Sequence, residues 1–292
     1  MLVYIILINY NGYKDTIECV NSLKQISYKN CKIIIVDNAS SDNSISMLKK
    51  QGITVIESKR NLGFAGGNNL GIKYALAHGA DYIMLLNNDT IVGEYFLDNM
   101  LESFNKDNKI GLVGCKIMYY DEKNIIWYGG GYIDWFKFLG VHYSMRQVDV
   151  GQCDTEKEID FMTGCCMLIK RQVFEKIGLL SEDYFMYFED VDFCVKVRNG
   201  GYKIWYNPKG VIYHKVGLSS GGEESPFSIE WCTRNRILFM NRYKNNVSNF
   251  RFILSKKIFY STRFIRYFQY LFMGQKVKAK AIIRGIKKSA YN

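Results

Sequence analysis

The sequence predicts an α/β protein: a doubly wound, largely parallel sheet followed by a basic helical C-terminal extension. Three observations predict it. Strand-like runs dense in Ile and Val alternate with helical patterns through the N-terminal part of the chain. Those runs are apolar on both faces, as strands covered by helices on each side must be. Finally, Trp231–Asn292 holds 15 Lys and Arg and no Asp or Glu, with aromatic and aliphatic residues recurring between them at roughly helical intervals.

The elements follow in order. "VYIILIN" (Val3–Asn9) is a strand, and "KDTIECVNSLKQI" after it sets Ile17, Val20, Leu23 and Ile26 on one side of a helix. "KIIIVD" (Lys32–Asp37) is a second strand, and "SISMLKK" a short helix capped by Ser41 or Asp42. "TVIES" (Thr54–Ser58) is a third strand. The glycine-rich "RNLGFAGGNNLG" (Arg60–Gly71) then leads into a helix expected to begin near Asn68 and stop at Gly79. "YIMLLN" (Tyr82–Asn87) is a fourth strand.

From Gly111 the pattern changes. "GLVGCKIMYYD" and "IDFMTGCCMLIKR" read as strands, with the aromatic-rich "WYGGGYIDWFKFLG" between them and the helix "RQVFEKIG" after them. An acidic turn then opens a helix with Val191, Cys194, Val195 and Arg198 along one side. Gly200-Gly201 stops it, and "YKIWYNPKGVIYH" reads as two short strands. With no clean linker, residues 1–230 are expected to form one globule, in halves of about 1–110 and 111–230, and residues 231–292 the extension.

Composition narrows the classes. At 292 residues the chain can bury a large core, and 48% hydrophobic against 23% charged content is globular. No apolar run reaches the roughly 18 residues needed to span a bilayer. The N-terminus lacks a basic leader and a cleavage site, so it reads as a buried strand. The eight cysteines show no C-x-x-C spacing and are expected as reduced thiols of a cytoplasmic protein. The net charge of +11 belongs to the extension alone, because residues 1–230 carry 24 basic against 28 acidic side chains.

In doubly wound sheets ligands bind at the carboxyl ends of the strands. Here those ends are polar: Asn9-Tyr10-Asn11-Gly12, Asp37-Asn38-Ala39-Ser40 and Asn87-Asn88-Asp89. Each is compatible with ordinary turn chemistry, and three facing one crevice suggest a site. Asp37 and Asp89 beside a glycine-rich turn suit a phosphorylated ligand held through a divalent cation. Gly66 and Gly67 either let a ligand approach the backbone or serve helix packing. No dinucleotide fingerprint and no P-loop occurs. Glu189-Asp190-Val191-Asp192 either opposes a helix dipole or supplies a general base. Of the three histidines, His78 is structural, His142 is unassigned, and His214 is a core residue or a metal ligand.

Taken together, "ILINYNG", "VDNASSDNS", "NLGFAGGNN", "LLNNDT", "FEDVDFCVKVRNGGY" and "YHKVGLSS" resemble family 2 glycosyltransferases, in the rhamnosyltransferase-like branch of bacterial surface-polysaccharide synthesis. The resemblance runs from Leu2 to Tyr243 and implies a GT-A fold. It implies inverting transfer of a sugar from a pyrimidine nucleoside diphosphate, dTDP-rhamnose or a UDP-sugar, to a glycan or lipid-linked acceptor. It assigns Asp37 to the base, with Tyr10, Arg60, Gly66 and Gly67 lining the nucleotide pocket. Asn87-Asn88-Asp89 stands where the family has a metal-binding D-x-D, so Asp89 is its one strong ligand for Mg²⁺ or Mn²⁺, and His214 joins it. Asp190 is the implied catalytic base, with Glu189 beside it.

Two other readings compete. One is a non-catalytic nucleotide- or glycan-binding protein on a GT-A scaffold, since Asn87 weakens the metal motif. A sugar-1-phosphate nucleotidyltransferase would need an N-terminal glycine-rich loop with a basic residue, which "NYNGYKD" is not. The extension is expected either on a membrane surface, placing the protein at the inner face of the cell membrane, or against the catalytic domain or a second subunit. Nucleic acid is disfavoured, because no recognition module is visible.

Overall fold

The computed structural model describes residues 1–216 and 224–289, so the Gly217–Ser220 part of "YHKVGLSS" lies outside the described residues. In chain order the first elements are β1 (Val3–Asn9), α1 (Tyr13–Leu23), β2 (Cys31–Asp37), α2 (Ser44–Lys49), β3 (Thr54–Glu57), α3 (Gly63–Ala77) and β4 (Tyr82–Asn87). Next come β5 (Thr90–Val92), α4 (Phe96–Glu102), β6 (Ile110–Tyr119), β7 (Ile126–Tyr128), β8 (Gly131–Asp134), β9 (Leu139–His142), β10 (Lys157–Ile159) and β11 (Cys166–Lys170). The chain continues through α5 (Arg171–Ile177), α6 (Glu189–Asn199), β12 (Lys203–His214), α7 (Pro226–Arg242), α8 (Asn249–Phe272) and α9 (Lys276–Ser289).

The main sheet runs β10-β12-β6-β11-β4-β1-β2-β3, with β5 on β12 and β7 on β6. The pairs β1–β2, β1–β4, β2–β3 and β6–β12 are parallel, as the sequence led us to expect. Strand β11 runs antiparallel between β4 and β6, a reversal that no local pattern announces. Val3, Ile5, Ile6 and Leu7 of β1 are fully buried, which is why this strand alternates so little in polarity.

Three elements differ from expectation. "YKIWYNPKGVIYH" is one strand, not two: Pro208 and Gly210 fall in a bulge between Asn207 and Val211, and pairing with β6 resumes beyond it. Asn207 stabilises the bulge by accepting from Lys209 N at 2.9 Å and donating to Asn99 O at 2.7 Å. Helix α3 begins at Gly63, not near Asn68. Short helix α2 follows Asn43, although Asp42 Oδ1 does accept from Ser44 N at 2.9 Å.

The described residues form two compact units. The larger contains the main sheet. The smaller combines Ile133–Gly140 and Met186–Phe188 with the C-terminal helices, so its chain differs from the single cut expected at residue 230. Within it α7 starts on a Ser225 cap with Pro226 in the first turn, and Ser248 caps α8. Helices α7 and α9 approach closely: a Cβ on Gly285 would meet Glu230 O at 2.5 Å, and Glu230 pairs with Arg284 and Lys288, each at 2.5 Å. All eight cysteines are free, and six are buried. No helix among the described residues is long and apolar enough to cross a membrane.

Candidate active site

Parallel pairing puts the carboxyl ends of β1, β2 and β4 on one rim, with Asn9 level with Asp37 and Ile8 level with Asn87. A buried chain of hydrogen bonds ties the three ends together. Asn88 Nδ2 donates to Thr16 Oγ1 at 2.8 Å, and that hydroxyl donates to Asn9 Oδ1 at 2.8 Å. Asn9 Nδ2 donates to Asp37 Oδ1 at 2.8 Å and to Ser40 Oγ at 3.1 Å. Every member is short and polar because each fills a lone pair or a proton of the next. Thr16 was not singled out in the sequence, where nothing distinguishes it from another helical threonine.

This relay changes the reading of Asp37. The side chain is fully buried, and its oxygens already accept from Asn9 Nδ2, from Ser40 N at 2.9 Å and from Ser40 Oγ at 2.6 Å. As placed, Asp37 shapes the Ala39–Ser41 turn, where Ala39 has φ 63°. Tyr10 stands beside that turn and is 45% exposed. Arg60 is exposed on the surface.

Gly66 and Gly67 lie in the first turns of α3. Both are buried inside α3, and a Cβ on Gly67 would meet Ile8 Cγ2 at 3.3 Å. One turn on, a Cβ on Gly71 would meet Ile6 Cγ2 at 2.5 Å. Gly67 and Gly71 let α3 lie close on β1, whereas a Cβ on Gly66 would meet Leu62 Cβ at 2.8 Å. Gly63 has the stricter requirement, with φ 71° and Phe185 O 2.0 Å from where a Cβ would stand.

Asp89 and His214 are brought together by strand pairing. Strand β5 runs antiparallel to the end of β12 with Thr90 opposite His214, and Lys215 N donates to Asp89 O at 3.0 Å. Asp89 Oδ1 lies 3.1 Å from His214 Nε2, with the side chains only 7% and 6% exposed. The approach is off the line a hydrogen bond needs, and Asp89 Oδ1 is left without a hydrogen-bond partner. Burial pushes the Asp89 carboxyl up, but the charge and close approach of His214 outweigh it and hold the group below its ordinary value. Asn87 Nδ2 lies 3.4 Å from the same ring nitrogen. Trp127 stands edge-on to His214, with ring centroids 4.6 Å apart, and fixes its orientation. Beyond Trp127, burial pulls His142 down to about 4, so that ring is neutral at pH 7.

A buried carboxylate oxygen with no hydrogen-bond partner, facing an imidazole nitrogen, offers two donors of the kind a divalent cation can take. No group of three His, Cys, Asp or Glu gathers among the described residues. The set therefore fits Mg²⁺ or Mn²⁺ only when ligand phosphates and water complete the shell, as is usual for these ions. Asn88 points into the relay and not to this pair.

The acidic segment joins the same end of the sheet through two consecutive residues. Gly164 N donates to Asp190 Oδ2 at 3.0 Å, while Cys165 O accepts from Asn87 N at 2.9 Å. Asp190 Oδ1 accepts from Val191 N at 2.8 Å. Burial raises the Asp190 carboxyl above its ordinary value despite those two backbone donors. Glu189 is raised further, by burial and then by the neighbouring Asp190 charge, and its Oε2 has no hydrogen-bond partner. Two carboxyls that cannot easily ionise together can divide the roles of base and proton-holding neighbour. Tyr187 and Phe188, just before α6, have φ 71° and 75°, a costly conformation for bulky residues. Asn235 Nδ2 holds that segment by donating to Met186 O at 2.8 Å and Tyr187 O at 2.9 Å.

Comparison with known proteins agrees with this architecture. Residues 4–178 match the family model described as glycosyl transferase family 2. The low-salt glycan biosynthesis hexosyltransferase Agl10 of Haloferax volcanii is 25% identical over 238 residues, covering 81% of this chain and 75% of its own. The dTDP-rhamnosyl transferase RfbF of Shigella flexneri is 22% identical over 226 residues, covering 75% of this chain and 70% of its own. Among solved structures, the mannosyltransferase PcManGT of Pyrobaculum calidifontis, in complex with GDP-Man and Mn²⁺, covers 99% of this chain and 87% of its own, with 12% identity and a TM-score of 0.61. The fold is of the GT-A type.

Proposed function

The chain belongs to glycosyl transferase family 2, and from that premise we propose that it is an inverting, divalent-cation-dependent glycosyltransferase acting in glycan synthesis. The observation that carries the proposal is the Asp89–His214 pair, tied through Gly164 and Cys165 to the raised carboxyl of Asp190. Asp89 and His214 would hold Mg²⁺ or Mn²⁺. A cation held there would offset the negative charge that develops on the departing diphosphate.

The remaining work falls to the chain's own groups. Asp190 takes the proton of the acceptor hydroxyl as its oxygen attacks the anomeric carbon from the side opposite the leaving group. One displacement inverts the configuration. The Gly164 and Val191 N–H groups hold Asp190 in place, and burial together with the neighbouring Asp190 charge favours the protonated form of Glu189 beside it. Tyr10 and the Ser40–Ser41 turn flank the nucleotide, with Asp37 and Asn9 fixing that turn from below.

The donor we propose is a pyrimidine nucleotide sugar, dTDP-rhamnose or a UDP-sugar, and the acceptor a glycan or lipid-linked hydroxyl. Likeness to RfbF supports dTDP-rhamnose, while the structural likeness to PcManGT makes GDP the control. The test is a thermal-shift panel of UDP, dTDP, GDP and CDP with and without Mn²⁺, followed by transfer from the stabilising donor and assignment of the product anomer. At about 100 times its Kd a ligand adds roughly 2.7 kcal/mol of stability. Cation-dependent stabilisation by one pyrimidine nucleotide and an inverted product are expected. A retained configuration, or transfer undiminished by chelation, overturns the mechanism. Binding without transfer returns the reading to a non-catalytic scaffold.

A further inference from the structure

Helix α8 carries apolar side chains on the face it does not bury. Ser255, Phe259 and Tyr270 point inward. Phe250, Ile253, Phe264, Ile265, Phe268 and Phe272 fall together on the opposite face of the helix, and all are exposed, Phe272 by 90% and Phe264 by 65%. Singly exposed apolar residues are ordinary, but a stripe along about 33 Å of helix marks a docking surface. The stripe continues into a groove of about 730 Å³ between α8 and α9, lined by Tyr260, Arg263, Phe264, Phe268 and Ile283 among others. Arg263 Nε is buried there with no hydrogen-bond partner.

Charge decides what covers this face. The segment from Trp231 to Asn292 has 15 basic residues and no acidic one. Lys257, Lys280 and Lys287 are exposed and have no carboxylate partner among the described residues. A second copy of the chain laid on the stripe would set two such positive fields against each other. An anionic lipid surface answers both features at once, taking the apolar stripe into its acyl boundary and the lysines at its phosphates.

We propose that α8 lies in the plane of an anionic membrane surface, with Phe264, Phe268 and Phe272 in the acyl boundary and the α8–α9 groove receiving one lipid, its phosphate on Arg263. The inference uses neither donor nor cation, so it stands or falls apart from the transferase reading.

The experiment is co-sedimentation of the full chain with vesicles of phosphatidylcholine alone or mixed with phosphatidylglycerol, at low and high salt. Binding is expected only to the mixed vesicles and should weaken as salt rises. The double variant Phe264→Glu, Phe268→Glu should bind at least about tenfold more weakly, and Lys257→Gln roughly fivefold. Both should keep wild-type transfer to a soluble acceptor. Hydrogen exchange of wild-type residues 249–272, slowed only by the mixed vesicles, gives a reading that no variant's folding can disturb. Equal binding to both vesicle types, or no change in exchange, overturns the proposal. So does a lipid-free dimer that the double variant converts to monomer, which would make the face a subunit interface.

Discussion

Asp89 and His214, remote in sequence, stand with Oδ1 and Nε2 3.1 Å apart because β5 and β12 pair with Thr90 opposite His214. Neither side chain has enough exposed surface to be solvated instead. We expect Asp89→Ala to abolish the Mn²⁺-dependent part of nucleotide stabilisation and to lower kcat at least about a hundredfold. Isothermal titration of the nucleotide with and without Mn²⁺ checks the first; steady-state rates check the second.

Asp190→Asn keeps the shape and loses the base. The expected loss in kcat is about 10²- to 10⁴-fold, with nucleotide affinity unchanged. Because burial raises the Asp190 carboxyl, the acidic limb of the kcat/KM profile should lie above the ordinary aspartate range. A profile flat down to the pH of an unperturbed aspartate would remove Asp190 from the role.

Glu189 should make stability depend on pH. Its folded-state value is raised well above that of the unfolded chain, so the folded state binds the proton more tightly. Stability is then lost as pH climbs from the unfolded value of about 4.5 through the raised folded one. Glu189→Gln cannot ionise and should remove that decline. Urea midpoints of the two proteins, compared across the acidic to neutral range, read the difference directly.

Thr16→Val breaks the relay at its middle. Both Asn88 Nδ2 and Asn9 Oδ1 lose their partner inside the protein, which costs about 1–3 kcal/mol. A lowered urea midpoint with an unchanged m-value is the expected result.

The glycines of α3 supply a graded test of close packing. Gly71→Ala puts a methyl 2.5 Å from Ile6 Cγ2 and should destabilise by about 1–3 kcal/mol. Gly67→Ala meets Ile8 Cγ2 at 3.3 Å and should cost less. Equal effects would mean that both glycines act through helix propensity alone.

Much of the site was legible because strand ends declare themselves. An apolar run that stops at Asn87-Asn88-Asp89 reports both a buried strand and a polar rim, and β4 ends where the sequence says it does. The glycines were legible as glycines but not by role, since a close helix–strand approach and a close ligand approach both call for a missing Cβ. The relay was illegible: Thr16, Asn9 and Asp37 meet only because β1 and β2 align in register.

By itself the sequence determined the alternation of strands and helices, the polar rim, the basic extension and the membership of the family, since each is written in local pattern. The tertiary structure decided which polar groups find one another. Burial and pairing turned Asp37 inward to shape a turn, left Asp89 Oδ1 unpaired against His214, and raised the Asp190 and Glu189 carboxyls. The reason is physical. Hydrophobic period is a property of neighbours along the chain, whereas desolvation and charge coupling depend on neighbours in space, supplied here by β5, β11 and β12 from distant parts of the sequence.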